Sequence, residues 1–280
     1  MTKRQWVAFG AFCLLTSSAW LLPPLTGWVR LVPYALAGIT ALRFSRRGGW
    51  PPVADIARLA VAGVLLSAVP EALAALAQRH VAGSLVTAML ASVPVILVVM
   101  ATQAGGTVMH LLVPAVLGLG GILLLVPVDL PGSLGGRLSL LLLLAGAITA
   151  AYASVWMHRL LKRFDPGQAI GVVCLANAFV ALLLEAGVGW SRPLNGALVL
   201  SAAFTGVELV LLVLLAKGVE PVRLGARYLV VPLLTLIEGY WLLRPGLTVR
   251  MGVGAGLLAG GAAFLLLAGR EDEVSSLSLR

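Results

Sequence analysis

The sequence predicts an all-α integral membrane protein: ten transmembrane helices in two inverted five-helix repeats, with both termini on the inside. Three observations carry that prediction. Hydrophobic residues make up 60% of the chain and charged ones 11%, against about half and about a quarter in a soluble globular protein. Polar breaks divide the chain into ten apolar runs, each near the roughly 17–25 residues that a hydrocarbon core about 30 Å thick requires. Most of one long stretch is also written twice.

The runs follow in order. The first, about 6–22, stops at Pro23-Pro24, a pair that cannot continue a helix. The second, 29–45, ends in the basic group Arg43, Arg46 and Arg47. The third, 57–76, contains Pro70 and Glu71, the fourth, 83–101, carries Pro94, and the fifth, 109–126, carries Gly118, Gly120 and Gly121. The loop 127–136 is the natural boundary between a first repeat, 1–133, and a second, 134–280. The sixth run, 138–157, ends in Ser154-Val155-Trp156, an echo of Ser18-Ala19-Trp20 in the first. The seventh is 168–185, and the eighth, 196–216, contains Glu208. The ninth, 226–243, contains Pro232 and Glu238, and the tenth, 251–268, precedes a short polar tail.

The repeat is clearest from Arg79 and from Lys217. Each basic residue opens an apolar run with an internal proline, Pro94 or Pro232, then a small-residue break and a glycine-rich run that stays in phase as far as Gly118 and Gly256. Internal repeats of this kind mark two similar halves. With an odd number of spans per half, the second half enters from the opposite side, which makes the repeat inverted and places a binding site near the midplane.

The net charge of +9 raises the question of an anionic partner, and the placement of the basic residues answers it. Lys3, Arg4, Arg43, Arg46, Arg47, Arg58, Arg159, Lys162, Arg163, Lys217, Arg223, Arg227, Arg270 and Arg280 fall in breaks on one side, and only Arg30, Arg79, Arg137, Arg192, Arg244 and Arg250 on the other. That bias is a topology signal, cytoplasmic for the richer side, and nucleic acid is not an expected partner. The first run is read as an uncleaved helix, since removing it would spoil the count of five plus five. Cys13 and Cys174 sit inside apolar runs as small core residues.

A carboxylate at bilayer depth costs several kcal/mol and so faces a cavity or a partner. Glu71 and Glu208 lie on repeat-mate runs at nearly equivalent positions, which places them on opposite walls of one cavity. They are read as a proton-coupling site or as ligands for a substrate amine, against the alternative of two neutral, hydrogen-bonded structural groups. Glu238 beside Tyr240 and Trp241 could hold a cationic group with an aromatic ring stacked on it; the alternative puts both rings in the interfacial aromatic belt. Glu185, beside Gly187 and Trp190, reads as a snorkelling interface residue.

Asn177, Thr102 and Gln103 could bond a substrate, although polar residues also join helices. Trp20 and Trp156 either line a cavity or pack. Pro94 and Pro232 bend or break their helices where transporters line cavities with freed carbonyls. Gly252, Gly256 and Gly260 form a small-residue face for helix packing or for a second copy of the chain. No Walker A loop is present, and His80, His110 and His158 are dispersed with no HExxH. No enzyme activity, metal or cofactor is expected.

Ala41-Leu42-Arg43-Phe44, the prolines Pro94 and Pro232, and Gly246-Leu247-Thr248 followed by Gly256 and Gly260 resemble the drug/metabolite transporter superfamily in its EamA-type, ten-helix form. The resemblance covers nearly the whole chain and departs from the family where Arg244-Pro245 replaces a usual glutamate. It implies a central cavity lined by the third, fourth, eighth and ninth runs with parts of the first and sixth. Glu71, Pro94, Glu208, Glu238, Trp20 and Trp156 are then cavity positions. Members move amino acids, other small metabolites or nucleotide sugars, frequently outward. The expected partners are a small-molecule substrate, the lipid bilayer and a second copy in a homodimer. The Ala-, Leu- and Arg-rich composition points to a bacterial inner membrane. A flippase of lipid-linked substrates and a non-transporting scaffold subunit are the alternatives.

Overall fold

The structure is a computed structural model and describes residues 1–23, 30–45, 49–103, 109–126, 131–185, 196–244, 246 and 248–267. Arg46, Arg47, residues 127–130 of the inter-repeat loop, Gly187, Trp190, Arg192, Pro245, Leu247 and the tail with Arg270 and Arg280 lie outside the described residues, as does the side chain of Glu185. Among the described residues all regular structure is helical. The helices are α1 (Lys3–Ser18), α2 (Leu31–Arg43), α3 (Val53–Leu66), α4 (Ala68–Ala77), α5 (Gly83–Leu90), α6 (Val93–Gln103), α7 (Leu112–Leu125), α8 (Leu134–Leu161), α9 (Pro166–Glu185), α10 (Gly196–Gly218), α11 (Pro221–Gly225), α12 (Arg227–Leu243) and α13 (Val249–Leu267).

All of these helices except α11 overlap an apolar run, and the differences have local causes. Helix α1 begins three residues before the apolar run because Thr2 and Gln5 form a capping box: Gln5 N–H donates to Thr2 Oγ1 at 3.3 Å and Thr2 N–H to Gln5 Oε1 at 2.7 Å. Runs three and four are each broken in two. A proline nitrogen carries no hydrogen, and its ring crowds the carbonyl four residues earlier. Pro70 removes the partner of Leu66, the last residue of α3, and Pro94 removes that of Leu90, the last residue of α5. Pro232 behaves differently from its repeat mate, since it stays inside the continuous α12 and the break comes earlier, at Ala226. Pro166 and Pro221 take the first position of α9 and α11, where a missing N–H costs nothing. Arg244 ends α12 in the left-handed region (φ 46°), with its N–H bonded to the Tyr240 carbonyl at 2.9 Å.

Seven helical stretches among the described residues are long and apolar enough to cross a membrane: Val53–Ala77, Gly83–Gln103, Leu134–Leu161, Pro166–Leu183, Gly196–Gly218, Pro221–Leu243 and Val249–Leu267. Leu31–Arg43 and Met109–Leu125 are shorter apolar helices. The chain therefore has the build of a membrane-embedded helical protein.

The chain packs as two compact units, one of residues 1–72 and 152–220, the other of residues 73–151 and 221–280. Each unit is built from two stretches separated in sequence. In the first, α2 and α3 lie against α9, and α10 lies against α1, α2 and α9. Small residues allow the approach: a Cβ on Gly63 would stand 2.7 Å from Val173 Cγ1, and one on Gly171 would stand 2.2 Å from Leu42 Cδ2. One end of this unit is fastened by polar contacts. Asp55, 8% exposed, receives Arg58 at 3.3 Å and Arg163 at 3.2 Å. Nearby, Ser45 bonds Asp165, Gln168 donates to the Gly49 carbonyl, and Lys217 donates to the Phe164 carbonyl.

In the second unit the main contact runs between α7 and α13. A Cβ on Gly121 would meet Leu258 N at 2.6 Å, and one on Gly261 would meet the Pro114 carbonyl at 2.5 Å, so the two backbones touch. The face of α13 that packs is thus Gly254, Gly261 and Leu258. Gly252, Gly256 and Gly260 are exposed, with nothing within 4 Å of an added Cβ. The expectation that these three glycines are an internal packing face is corrected here. Their four-residue spacing puts them on one stripe, and α7 occupies another.

Candidate functional site

The break between α3 and α4 positions the most polar group of side chains in the first unit. Because Pro70 ends α3 at Leu66, Ser67 stands outside both helices and Glu71 falls in the first turn of α4. Backbone N–H groups at a helix start favour negative charge, so the carboxylate has a local electrostatic reason to be there. Arg30, at the N-terminal end of α2, places Nη1 3.2 Å from Glu71 Oε2, with the two side chains 40% and 50% exposed. At that exposure the pair contributes about 0–1 kcal/mol to stability, and its significance is the charge it holds in an apolar chain. Arg30 Nε is buried with no hydrogen-bond partner. A buried donor without a partner is uncommon in folded proteins.

Four residues along α2 from Arg30, Tyr34 is 8% exposed and interacts electrostatically with Arg30, Glu71, Glu208 and Cys174. Glu71 and Glu208 both lie within electrostatic reach of this one phenol. Glu208, partly buried on α10, accepts a hydrogen bond from Thr16 of α1 at 2.7 Å between Oγ1 and Oε1. Thr16 Oγ1 also lies 2.9 Å from the Phe12 carbonyl. Asn177 of α9, 2% exposed, has its Oδ1 2.7 Å from Ser67 Oγ and donates from Nδ2 to the Val173 carbonyl at 2.9 Å. The Ser67 hydroxyl has a second acceptor in reach, the Gly63 carbonyl at 3.0 Å. An ion pair, a second carboxylate, a phenol, an amide and two hydroxyls thus converge from α1, α2, α4, α9 and α10. The set holds both signs of charge and both hydrogen-bond donors and acceptors.

The remaining predicted residues are placed elsewhere. Trp20 is 45% exposed in a turn of 3-10 helix, Ala19–Leu21, and Trp156 packs on Tyr152 of its own helix with ring centroids 6.0 Å apart. Both belong to the first unit. Glu238, Tyr240, Pro94 and Pro232 belong to the second. Pro94 is buried at the start of α6, where its Cα is 3.7 Å from the position of a Gly225 Cβ. Pro232 and Tyr240 line a groove of about 450 Å³ in the second unit, with Thr87, Thr235, Leu236 and Leu243. Trp241 is 81% exposed. Arg30, Tyr34, Thr16 and Ser67 are site residues that sequence reasoning missed. The signal that could have found Ser67 is its place three residues before Pro70.

A second concave feature of the first unit is a groove of about 570 Å³ between α2 and α10, lined entirely by apolar or glycine residues such as Val32, Leu36, Ala203, Gly206 and Val207. Among the described residues no group of three or more His, Cys, Asp or Glu side chains is placed to hold a metal ion.

No protein-family model matches this chain, and no curated protein matches it. A protein of known crystal structure is similar in fold, with a TM-score of 0.76 at 18% sequence identity over 95% of this chain and 99% of the other. At that identity the likeness carries the fold and nothing about a substrate.

Proposed function

We propose that the protein is a secondary transporter. In this reading it moves a small polar or amphipathic metabolite, such as an amino acid or related solute, outward across a bacterial inner membrane by alternating access, without ATP and with coupling to protons. The arrangement it fits is the ten-helix, inverted-repeat topology of the drug/metabolite transporter superfamily, with both termini cytoplasmic. The observation that carries the proposal is the grouping of Arg30–Glu71, Tyr34 and Glu208–Thr16 in a chain whose helices are mostly apolar. Charged groups within membrane-spanning helices are costly and mark substrate or proton pathways. Pro70, which interrupts run three beside Ser67 and Glu71, supports it, because discontinuous helices are where transporters place their sites.

The test is flux of a labelled metabolite panel in proteoliposomes, with and without an imposed pH gradient. A compound driven by the gradient is expected in the wild type, with loss of that dependence in Glu71→Gln or Glu208→Gln. Unchanged gradient dependence in both variants would remove the coupling part of the proposal.

One observation favours a second reading, a flippase of lipid-linked substrates. The apolar groove between α2 and α10 has the character of a lateral path for an acyl chain. Movement of a fluorescent lipid-linked substrate in protein that moves no water-soluble compound would select it.

A further inference from the structure

We propose that Thr16 is the positioning residue that lets Glu208 gain and lose a proton without leaving a hydrogen-bond group unsatisfied. The inference rests on the transporter reading and names the coupling device within that same site. The observation is the double acceptor set of one hydroxyl. Thr16 Oγ1 lies 2.7 Å from Glu208 Oε1 and 2.9 Å from the carbonyl of Phe12, one turn back on its own helix. A threonine hydroxyl has one hydrogen to donate and two lone pairs to accept with.

When Glu208 is ionised, the hydrogen points at Oε1, a charge-assisted bond. When a proton arrives on the carboxylate, the Thr16 hydroxyl rotates by one staggered well and donates to the Phe12 carbonyl. The new carboxylic O–H then donates to Thr16 Oγ1 along the same 2.7 Å line. In both states the Thr16–Glu208 bond is kept with its direction reversed, no heavy atom moves, and the proton leaves by the reverse exchange. A hydroxyl that bonded only to its own helix would leave Glu208 without this donor, and burying such an unsatisfied polar atom is what prevents easy switching.

The surroundings supply further titratable and charged groups. Tyr34 of α2 couples electrostatically to Glu208 and also to Glu71, Arg30 and Cys174 of α9. Cys13 of α1 stands one turn before Thr16. Helices α1, α2 and α9 pack against α10, and His158 of α8 reaches the Ala216 carbonyl of α10 at 2.8 Å, so these groups are among those around α10. Protonation of Glu208 removes a negative charge from the neighbourhood of Tyr34 and leaves the Arg30–Glu71 pair in place. The relay thus separates a proton-carrying carboxylate from one held by a guanidinium.

The experiment uses purified full-length protein in liposomes and compares wild type, Thr16→Val, Thr16→Ser and Glu208→Gln. Infrared difference spectra are recorded across about pH 4 to 9. The protonated-carboxyl band that disappears in Glu208→Gln belongs to Glu208. Thr16→Val, close to isosteric, is expected to move that band to the higher frequency of a carboxyl with a lost hydrogen-bond partner and to change the pH range over which it appears. Thr16→Ser keeps both as in wild type. In flux measurements Thr16→Val is expected to lower the stimulation by a pH gradient about tenfold, the equivalent of one charge-assisted hydrogen bond, with serine restoring it.

The infrared arm judges the relay by itself. A Thr16→Val band superimposable on wild type, or no band that depends on Glu208, overturns it. If no compound moves under any gradient while the band responds to Thr16 as stated, the relay stands and the transport reading fails.

Discussion

Glu71 and Glu208 each hold a carboxylate on a largely apolar helix, stabilised in two ways. Glu71 has a guanidinium and the first turn of a helix; Glu208 has a hydroxyl that can reverse its donor role. Both glutamates, and Asn177, are legible in the sequence because a single polar residue in an apolar run stands out. Arg30, Tyr34, Thr16 and Ser67 are not, because hydroxyls and interfacial arginines are common in such runs and only contacts across helices distinguish these. Asn177 illustrates how the two roles of a buried amide are separated. If Asn177→Leu is made, the Ser67 hydroxyl keeps the Gly63 carbonyl at 3.0 Å and Val173 keeps its place in the ladder of α9. Stability is therefore expected to change by less than about 1 kcal/mol in a denaturant titration. A loss of flux in that stable variant would assign Asn177 to the substrate.

At the level of elements, proline decides where the long helices break. Replacing Pro70 with alanine gives Leu66 back its hydrogen-bond partner, so the expected outcome is a continuous helix from 53 to 77 and a higher melting temperature. It also turns Glu71 away from Arg30, so flux should fall as stability rises. Circular dichroism and a flux assay on one preparation check both. The α7–α13 contact gives a contrast of opposite kind. Gly121→Ala or Gly261→Ala forces a Cβ to within about 3 Å of backbone atoms on the neighbouring helix and should cost about 1–3 kcal/mol. Gly256→Ala points into open space and should be neutral or slightly stabilising through helix propensity. Unfolding midpoints of the three variants decide it. The sequence shows that α13 carries a small-residue face and leaves open which stripe of glycines is packed, since that depends on the rotation of α13 about its axis.

For the whole molecule, the placement of positive charge yields a prediction that needs no substrate. Cys13 and Cys174 are buried, so a single cysteine introduced at Thr2 or in the tail has a quiet background for a membrane-impermeant maleimide. Labelling is expected from the cytoplasmic side alone, and labelling from the periplasmic side would reverse the topology. The helical membrane class and the positions of nearly all the helices follow from the sequence alone, because apolar run length and proline placement are local properties that the bilayer and the backbone read directly. The repeat from Arg79 to Gly118 and from Lys217 to Gly256 is likewise visible in one dimension. Packing groups the chain along other lines, residues 1–72 with 152–220 and 73–151 with 221–280. That grouping, the meeting of Arg30 with Glu71 and of Thr16 with Glu208, and the choice of Gly254 and Gly261 over Gly256 were decided by tertiary structure alone. Each depends on which faces of distant helices come within a few ångströms, and in a uniformly apolar chain hydrophobic periodicity has no contrast with which to mark a face.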